Sequence, residues 1–148
     1  MSVNEAFAGR TYPPTAAYVV GREKIREFAG AIAATSAEHH DLDAAHAAGY
    51  RDLVAPPTFA AIMTQQCDAQ FARDPEAGLD LARLVHGDQR FIHHRPIVAG
   101  DELRGVLTID SVRTLGGHTM VTMRSDLIDT DDEPVTTSVS TVVIRGED

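Results

Sequence analysis

Apolar positions in the first half of the chain recur with the period of an α-helix. Between residues 22 and 32 they fall at intervals of three and four, which predicts a helix with one buried face. A second, short helix is predicted over residues 43–48, with Asp43 as its N-cap and Gly49 as its stop. The apolar residues of the first helix are Ile25, Phe28, Ala29 and Ile32.

The longest apolar stripe starts at Thr58 and predicts the core helix of the fold. It extends over about four turns at the spacing of a buried helix face. Pro56 and Pro57 suit the start of this helix, because a proline in the first turn gives up an amide that has no partner within the helix. The stripe consists of Phe59, Ile62, Met63, Cys67 and Phe71.

After the polar segment "RDPEAGLD" the pattern changes to the period of two that is typical of β-strands. Two turn sequences, "LGGH" and "DTDDEP", predict hairpins between long antiparallel strands. One long helix followed by antiparallel strands predicts an α+β fold, and the sheet has to curl around the helix to cover it. The predicted strands are residues 84–96, 102–115, 121–127 and 134–145.

Length, charge and cysteine content narrow the class of protein. The 148 residues are enough for a single domain, residues 1–148, with its own hydrophobic core. The net charge of −9 without any basic cluster argues against nucleic acid and anionic membrane as partners. The sole cysteine, Cys67, excludes an intramolecular disulfide. With no signal peptide and no long apolar run, we expect a soluble, cytoplasmic protein.

Several segments resemble the MaoC-like hot-dog dehydratases. They are "GREKIREFA", "GYRDLVAPPTFAAIM", "HGDQRFIHHRPIVAGDEL" and the closing strands, and together they cover nearly the whole chain. The similarity is strongest to the small bacterial branch related to the substrate-holding subunits of (3R)-hydroxyacyl carrier-protein dehydratases. It implies a hot-dog fold, in which a curved antiparallel sheet wraps one long central helix and two units pair edge to edge. It also implies an acyl thioester of coenzyme A or acyl carrier protein as ligand, and no cofactor.

Catalytic members of that family carry the motif GDxNPxH in the loop after the first helix. Without gaps, the motif falls here on "AATSAEH", so that Ala33 takes the glycine, Ala34 the aspartate and His39 the histidine. Catalytic relatives also have a glycine at the position of Pro57, and its N–H polarises the thioester carbonyl. Proline has no N–H to give. The nearest amide that could replace it is that of Thr58, at the start of the helix.

The resemblance makes His39 the candidate base. A carboxylate in place of the missing one could come from Glu38, Asp41 or Asp88. The residues predicted to bind substrate are Ala55, Pro57, Thr58, His86 and Asp88.

Three histidines on the predicted strand 84–96 bear on the kind of site. His86 and Asp88 share a face if the strand is regular, which permits a role in the pocket. The adjacent His93 and His94 would point to opposite faces and so cannot ligate one metal together. We therefore expect no metal site.

Three functions remain open from the sequence. The first is a binding subunit that holds the acyl chain while a catalytic hot-dog partner supplies the complete Asp and His pair. The second is an active (R)-specific enoyl-thioester hydratase or dehydratase that uses His39 as its base. The third and weakest is a hot-dog thioesterase, because no Asp or Glu occurs from Ala55 to Cys67, where its carboxylate is expected. Each function predicts a homodimer or a heterodimer with another hot-dog chain.

Overall fold

Apart from the two-residue strand β1 (Tyr18–Val19), which the sequence did not predict, the α-helices come first along the chain and the strands second. The computed structural model describes residues 3–147. The helices are α1 (Arg22–Ala31), α2 (Leu42–Ala47) and α3 (Ala61–Ala72). The strands are β1 (Tyr18–Val19), β2 (Leu84–His93), β3 (Glu102–Leu115), β4 (His118–Ile128) and β5 (Pro134–Ile144).

The two early helices form where the sequence predicts them, with one change at the N-cap. In α1, Ile25 and Ala29 are buried as expected, whereas Ile32 lies past the last turn and is 47% exposed. The prediction of Asp43 as the N-cap of α2 is wrong. The cap is Asp41, whose side chain accepts a hydrogen bond of 2.9 Å from the amide of Ala44.

The central helix α3 carries the predicted apolar stripe. A 3₁₀ turn, Pro57–Ala60, leads into it, and the prolines suit this entry because the first amides of a helix have no partner within it. Four of the five stripe residues are buried, and Ile62 is half-buried against the same core. The buried ones are Phe59, Met63, Cys67 and Phe71.

The strands form one antiparallel sheet in the order β1-β3-β4-β5-β2. Both predicted hairpin turns are present, since β3 ends two residues before Gly117 and the turn between β4 and β5 spans residues 129–133. Alternate residues of β3, β4 and β5 are buried on the face that packs against α3. The sheet curls around this helix, which confirms the expected α+β, hot-dog architecture.

Gly105 of β3 lies where the central helix comes closest to the sheet. A Cβ at this position would be 2.2 Å from Cys67 Sγ and 3.3 Å from Leu127 Cδ2. Cys67 is fully buried and cannot move aside into solvent. Helix α3 can therefore pack against β3 because position 105 has no side chain.

We expect Gly105→Ala to lower the free energy of unfolding by about 1–3 kcal/mol, because the added methyl group overpacks the contact with Cys67. Urea denaturation measures this loss. The matched variant Cys67→Ala removes the sulfur, so the double variant should recover most of the loss. Losses that simply add in the double variant would show that this contact is not the cause.

Candidate functional site

His39 is the best-defined polar side chain near the N-terminal end of the central helix. It closes the short 3₁₀ turn Ala37–His39 and is only 9% exposed. Its Nδ1 lies 2.7 Å from the carbonyl oxygen of Val54. Because a carbonyl oxygen only accepts, this bond assigns the ring proton to Nδ1 and leaves the Nε2 of a neutral imidazole free to accept a proton.

A cavity of about 460 Å³ lies beside His39. One wall is the loop of Glu38 and His39 together with residues 54–57, and the other is the segment 93–97, which begins with the last residue of β2. Tyr50 lines it as well. Its walls are thus mostly apolar, with imidazoles on two sides, which is the character of a small-molecule pocket.

Two of the predicted substrate-binding residues line this cavity. Ala55 and Pro57 lie on the same wall as His39, and the exposed Thr58 follows them in the chain without lining the cavity. The amide of Ala55 donates to Ile97 O at 2.8 Å. The amide of Phe59 donates to the carbonyl oxygen of Pro56 at 3.0 Å. Thr58 therefore has the amide of this turn that best suits an incoming oxygen.

His86 and Asp88 lie elsewhere. A β-bulge at Gly87 shifts the register, so that His86 is opposite the buried Val142 and Asp88 is opposite Thr141. The bulge places the two side chains on opposite faces of the sheet, so the expectation that they share a face is wrong. His86 lines a second cavity, and Asp88 is exposed.

The loop that aligns with the catalytic motif has an unusual backbone. Ala33 has φ of 56°, in the left-handed region that glycine adopts most easily. The half-buried Ala34 does not line the cavity, and its carbonyl oxygen is 2.8 Å from His40 Nε2. No carboxylate oxygen of residues 3–147 forms an ion pair with His39.

Of the three carboxylates considered as replacements, the structure brings one to the cavity. Glu38 is half-buried and lines it next to His39. Asp41 is occupied as the cap of α2, and Asp88 lies on the outer face of β2. Glu38 is therefore the carboxylate that could act beside His39.

The far wall of the cavity contains the adjacent imidazoles of His93 and His94, at the end of β2. They bond to consecutive residues of β5, Thr136 and Thr137, which alternate between the buried and the outer face of the sheet. His93 Nδ1 is 3.2 Å from Thr136 Oγ1, and His94 Nε2 is 2.9 Å from Thr137 Oγ1. The other ring nitrogens, His93 Nε2 and His94 Nδ1, take no part in these contacts.

Asp101 holds this wall in place and was not predicted as a functional residue. It is 5% exposed and accepts a 2.9 Å hydrogen bond from the amide of Val98. Arg51 and Arg95 each donate to its carboxylate at 2.9 Å. The hydrogen bonds that Arg95 donates to Asp101 are the main cause of the raised pKa of Arg95. The "AGD" turn was the sequence signal for Asp101. Its structural role becomes clear only from the arginines that the fold brings to it.

Two further observations concern the described residues. None of their clusters of His, Cys, Asp and Glu has three members placed to hold a metal ion. Residues 3–147 also contain no helix with the length and hydropathy needed to span a membrane.

Comparison with known proteins gives the family. The model described as FAS1-like, dehydratase domain region, matches residues 6–138. A UPF0336 protein of Leifsonia xyli is 51% identical over 146 residues, covering 99% of this chain and 98% of the relative. A UPF0336 protein of Saccharopolyspora erythraea is 50% identical, covering 99% and 94%.

Solved structures agree. The HadBC complex of Mycobacterium tuberculosis, a (3R)-hydroxyacyl-ACP dehydratase, has a chain that is 34% identical with a TM-score of 0.84, covering 93% of this chain and 96% of that one. A MaoC-like dehydratase is 35% identical with a TM-score of 0.89. The match covers 96% of this chain and 43% of that longer chain.

Fold and relatives together define the class: a hot-dog protein of the MaoC-like dehydratase and hydratase type. Within that class, the chain belongs to the FAS1-like dehydratase-region family, and the two curated relatives named above are UPF0336 proteins.

Proposed function

We propose that this chain is an acyl-thioester-binding subunit of a hot-dog dehydratase or hydratase, and that a second hot-dog chain supplies the complete catalytic pair. One observation carries the proposal. The cavity has an oriented imidazole, His39, but the motif carboxylate is replaced by Ala34 and the motif amide by Pro57. The site thus keeps a cavity beside the motif histidine and lacks two groups that the chemistry needs.

The backbone of the loop supports the alignment on which the proposal depends. Ala33, which aligns with the glycine of GDxNPxH, has the positive φ that favours glycine. An alanine there is strained, and the C-terminal cap of α1 holds it, because the amides of Ala33 and Ala34 donate to Gly30 O and Ala29 O. A glycine would adopt this conformation without strain, which agrees with the glycine of the motif.

An unpaired sheet edge supports a hot-dog partner. Within residues 3–147, β2 is an outer strand that pairs only with β5. It has ten residues, and Val85 and Ile92 are exposed by 47% and 46%. A ten-residue edge strand with exposed apolar side chains is an aggregation liability unless another unit covers it. The HadBC relative is a complex of two different subunits, which is the assembly that we propose here.

The free Nε2 of His39 favours a second candidate, an active hydratase. His39 would take a proton from water as the water oxygen bonds to the β-carbon of an enoyl thioester, and a proton would be returned to the α-carbon. Glu38 would orient the base or the water, and the amide of Thr58 would polarise the thioester carbonyl. A thioesterase has less support, since no carboxylate lies in the first turns of α3.

Binding is the direct test. We expect the isolated chain to bind butyryl-coenzyme A, a saturated thioester that cannot be hydrated, with saturable heat in calorimetry. His94→Trp fills the cavity and should weaken binding at least about tenfold, or about 1.4 kcal/mol. The matched control is His46→Trp, since His46 is also exposed, also bonds through Nε2 and does not line the cavity. Equal binding by both variants would contradict a site in this cavity.

A further inference from the structure

A second cavity lies on the concave face of the sheet, at a distance from His39. Its volume is about 420 Å³, within the range of small-molecule pockets. It lies between α3, the 3₁₀ turn Leu81–Arg83 and the edge strand β2. Asp68, which lines it, is about three helical turns beyond Pro57, roughly 16 Å along the helix. The cavity is therefore distinct from the proposed thioester site.

Two ionisable side chains from different elements meet at this cavity. Asp68 is half-buried on α3, and His86 reaches the concave face because of the bulge at Gly87. No hydrogen bond satisfies the Asp68 carboxylate among residues 3–147, and His86 affects it only through its charge at a distance. Burial raises the pKa of Asp68 to about 6, so the carboxylate is charged and poorly compensated at pH 8.

Two glutamines, Gln65 and Gln89, also line the cavity, and Gln89 offers an acceptor. Gln89 donates from its Nε2 to Ser138 Oγ at 2.6 Å, and this bond leaves its amide oxygen without a donor. No Lys or Arg within residues 3–147 lines the cavity, and Arg83, on the 3₁₀ turn beside it, is engaged by Gly146 O and Asp80. Acceptors thus converge on the cavity without a cation to match them.

The rest of the lining is apolar. Leu79 and Leu81, which precede β2, and Leu84, its first residue, close one side of the cavity. Residues of α3, β4 and β5 close the other side. Apolar walls favour a ligand with a hydrocarbon body, and an uncompensated carboxylate favours a positively charged head. These apolar residues are Phe71, Leu79, Leu81, Leu84, Met123 and Val142.

We propose that this cavity is a second binding site, which takes a primary amine with a short apolar tail and places the ammonium group between Asp68, His86 and the oxygen of Gln89. The ammonium supplies the donors and the charge that the three groups lack. A hydroxyl group would supply one donor and no charge, and a carboxylate would add repulsion. The site is independent of the proposed thioester function.

The test uses n-hexylamine as the probe, with 1-hexanol and hexanoate as ligands of the same tail length. In calorimetry at pH 8 we expect saturable binding of hexylamine, at least tenfold weaker binding of hexanol, and none of hexanoate. Asp68→Asn keeps the shape and removes the charge, and it should weaken hexylamine binding at least tenfold. Asp88→Asn removes the same charge from the outer face of β2 and should leave binding within twofold.

Two results would overturn the proposal: no saturable binding of hexylamine by the native chain, or equal binding by Asp68→Asn. Asp68→Asn removes a buried charge, so its thermal melt at pH 8 should show a fold at least as stable as the native one. A second measurement uses the native chain alone, by NMR. Hexylamine should shift the side-chain amide resonances of Gln65 and Gln89, which line the cavity, and unchanged resonances would reject the site.

Discussion

The isolated chain is expected to hydrate crotonyl-coenzyme A about 10²–10⁴-fold more slowly than the same chain mixed with a catalytic hot-dog partner. Ala34 removes the motif carboxylate, and one positioned acid or base contributes typically ~10²–10⁴ in rate. Pro57 removes the motif amide, and one oxyanion donor contributes ~10²–10³. Such losses rarely add, so the larger of the two sets the expectation.

The measurement is the initial rate of hydration as partner chains are titrated into this one. His39→Ala in the mixed complex then separates the two candidate functions. If this chain only holds the thioester, kcat should stay within about threefold, whereas a catalytic His39 would lose ~10²–10⁴. His40→Ala is the matched control, because His40 bonds to the carbonyl oxygen of Ala34 and does not line the cavity.

Robust turnover by the homogeneous chain would contradict the binding-subunit proposal. It would direct attention to Glu38, the candidate carboxylate that the structure places beside His39.

Asp101→Ala is expected to lower the free energy of unfolding by about 3 kcal/mol, the low end of the range for breaking a buried ion pair. The carboxylate is almost fully buried and satisfies Arg51, Arg95 and the amide of Val98. The low end applies because the side chains of Arg51 and Arg95 are 69% and 34% exposed, so water compensates part of the charge left behind.

Urea denaturation of Asp101→Ala tests this. Asp110→Ala is the control: Asp110 pairs with Arg124 at 3.4 Å, its side chain is 38% exposed, and its loss should cost less than about 1 kcal/mol. Asp101→Ala should also weaken butyryl-coenzyme A binding, because the network positions the wall with His94 and Arg95. If Asp101→Ala lowers the free energy of unfolding no more than Asp110→Ala does, Asp101 does not hold this wall.

The helices and strands could be predicted because their signals are local. The stripe from Phe59 to Phe71 and the alternation in β4 each mark one buried face. The spacing of the buried residues follows the period of the element, 3.6 residues for a helix and two for a strand. The turn between β3 and β4 was equally readable, since Gly116 and Gly117 both have positive φ. The α+β architecture followed from the order of these elements.

The candidate site was predictable only in part. The motif spacing placed His39, Ala55 and Pro57, which share a cavity in the structure. It could not place His86 and Asp88, because an unpaired residue at Gly87 turns one side chain to the other face. A bulge is set by the pairing of β2 with β5, and nothing within β2 alone reports it.

The sequence by itself thus determined the three helices, the four long strands and their order, since each depends on neighbours within a few residues, and the resemblance to the dehydratases added the role of His39. The tertiary structure decided which polar groups meet. Asp41 replaced Asp43 as a cap, Asp101 found Arg51 across the fold, and Asp68 came to face the cavity of His86. These contacts join residues that lie far apart in the chain or compete for one role, and the curvature of the sheet around α3 selects among them.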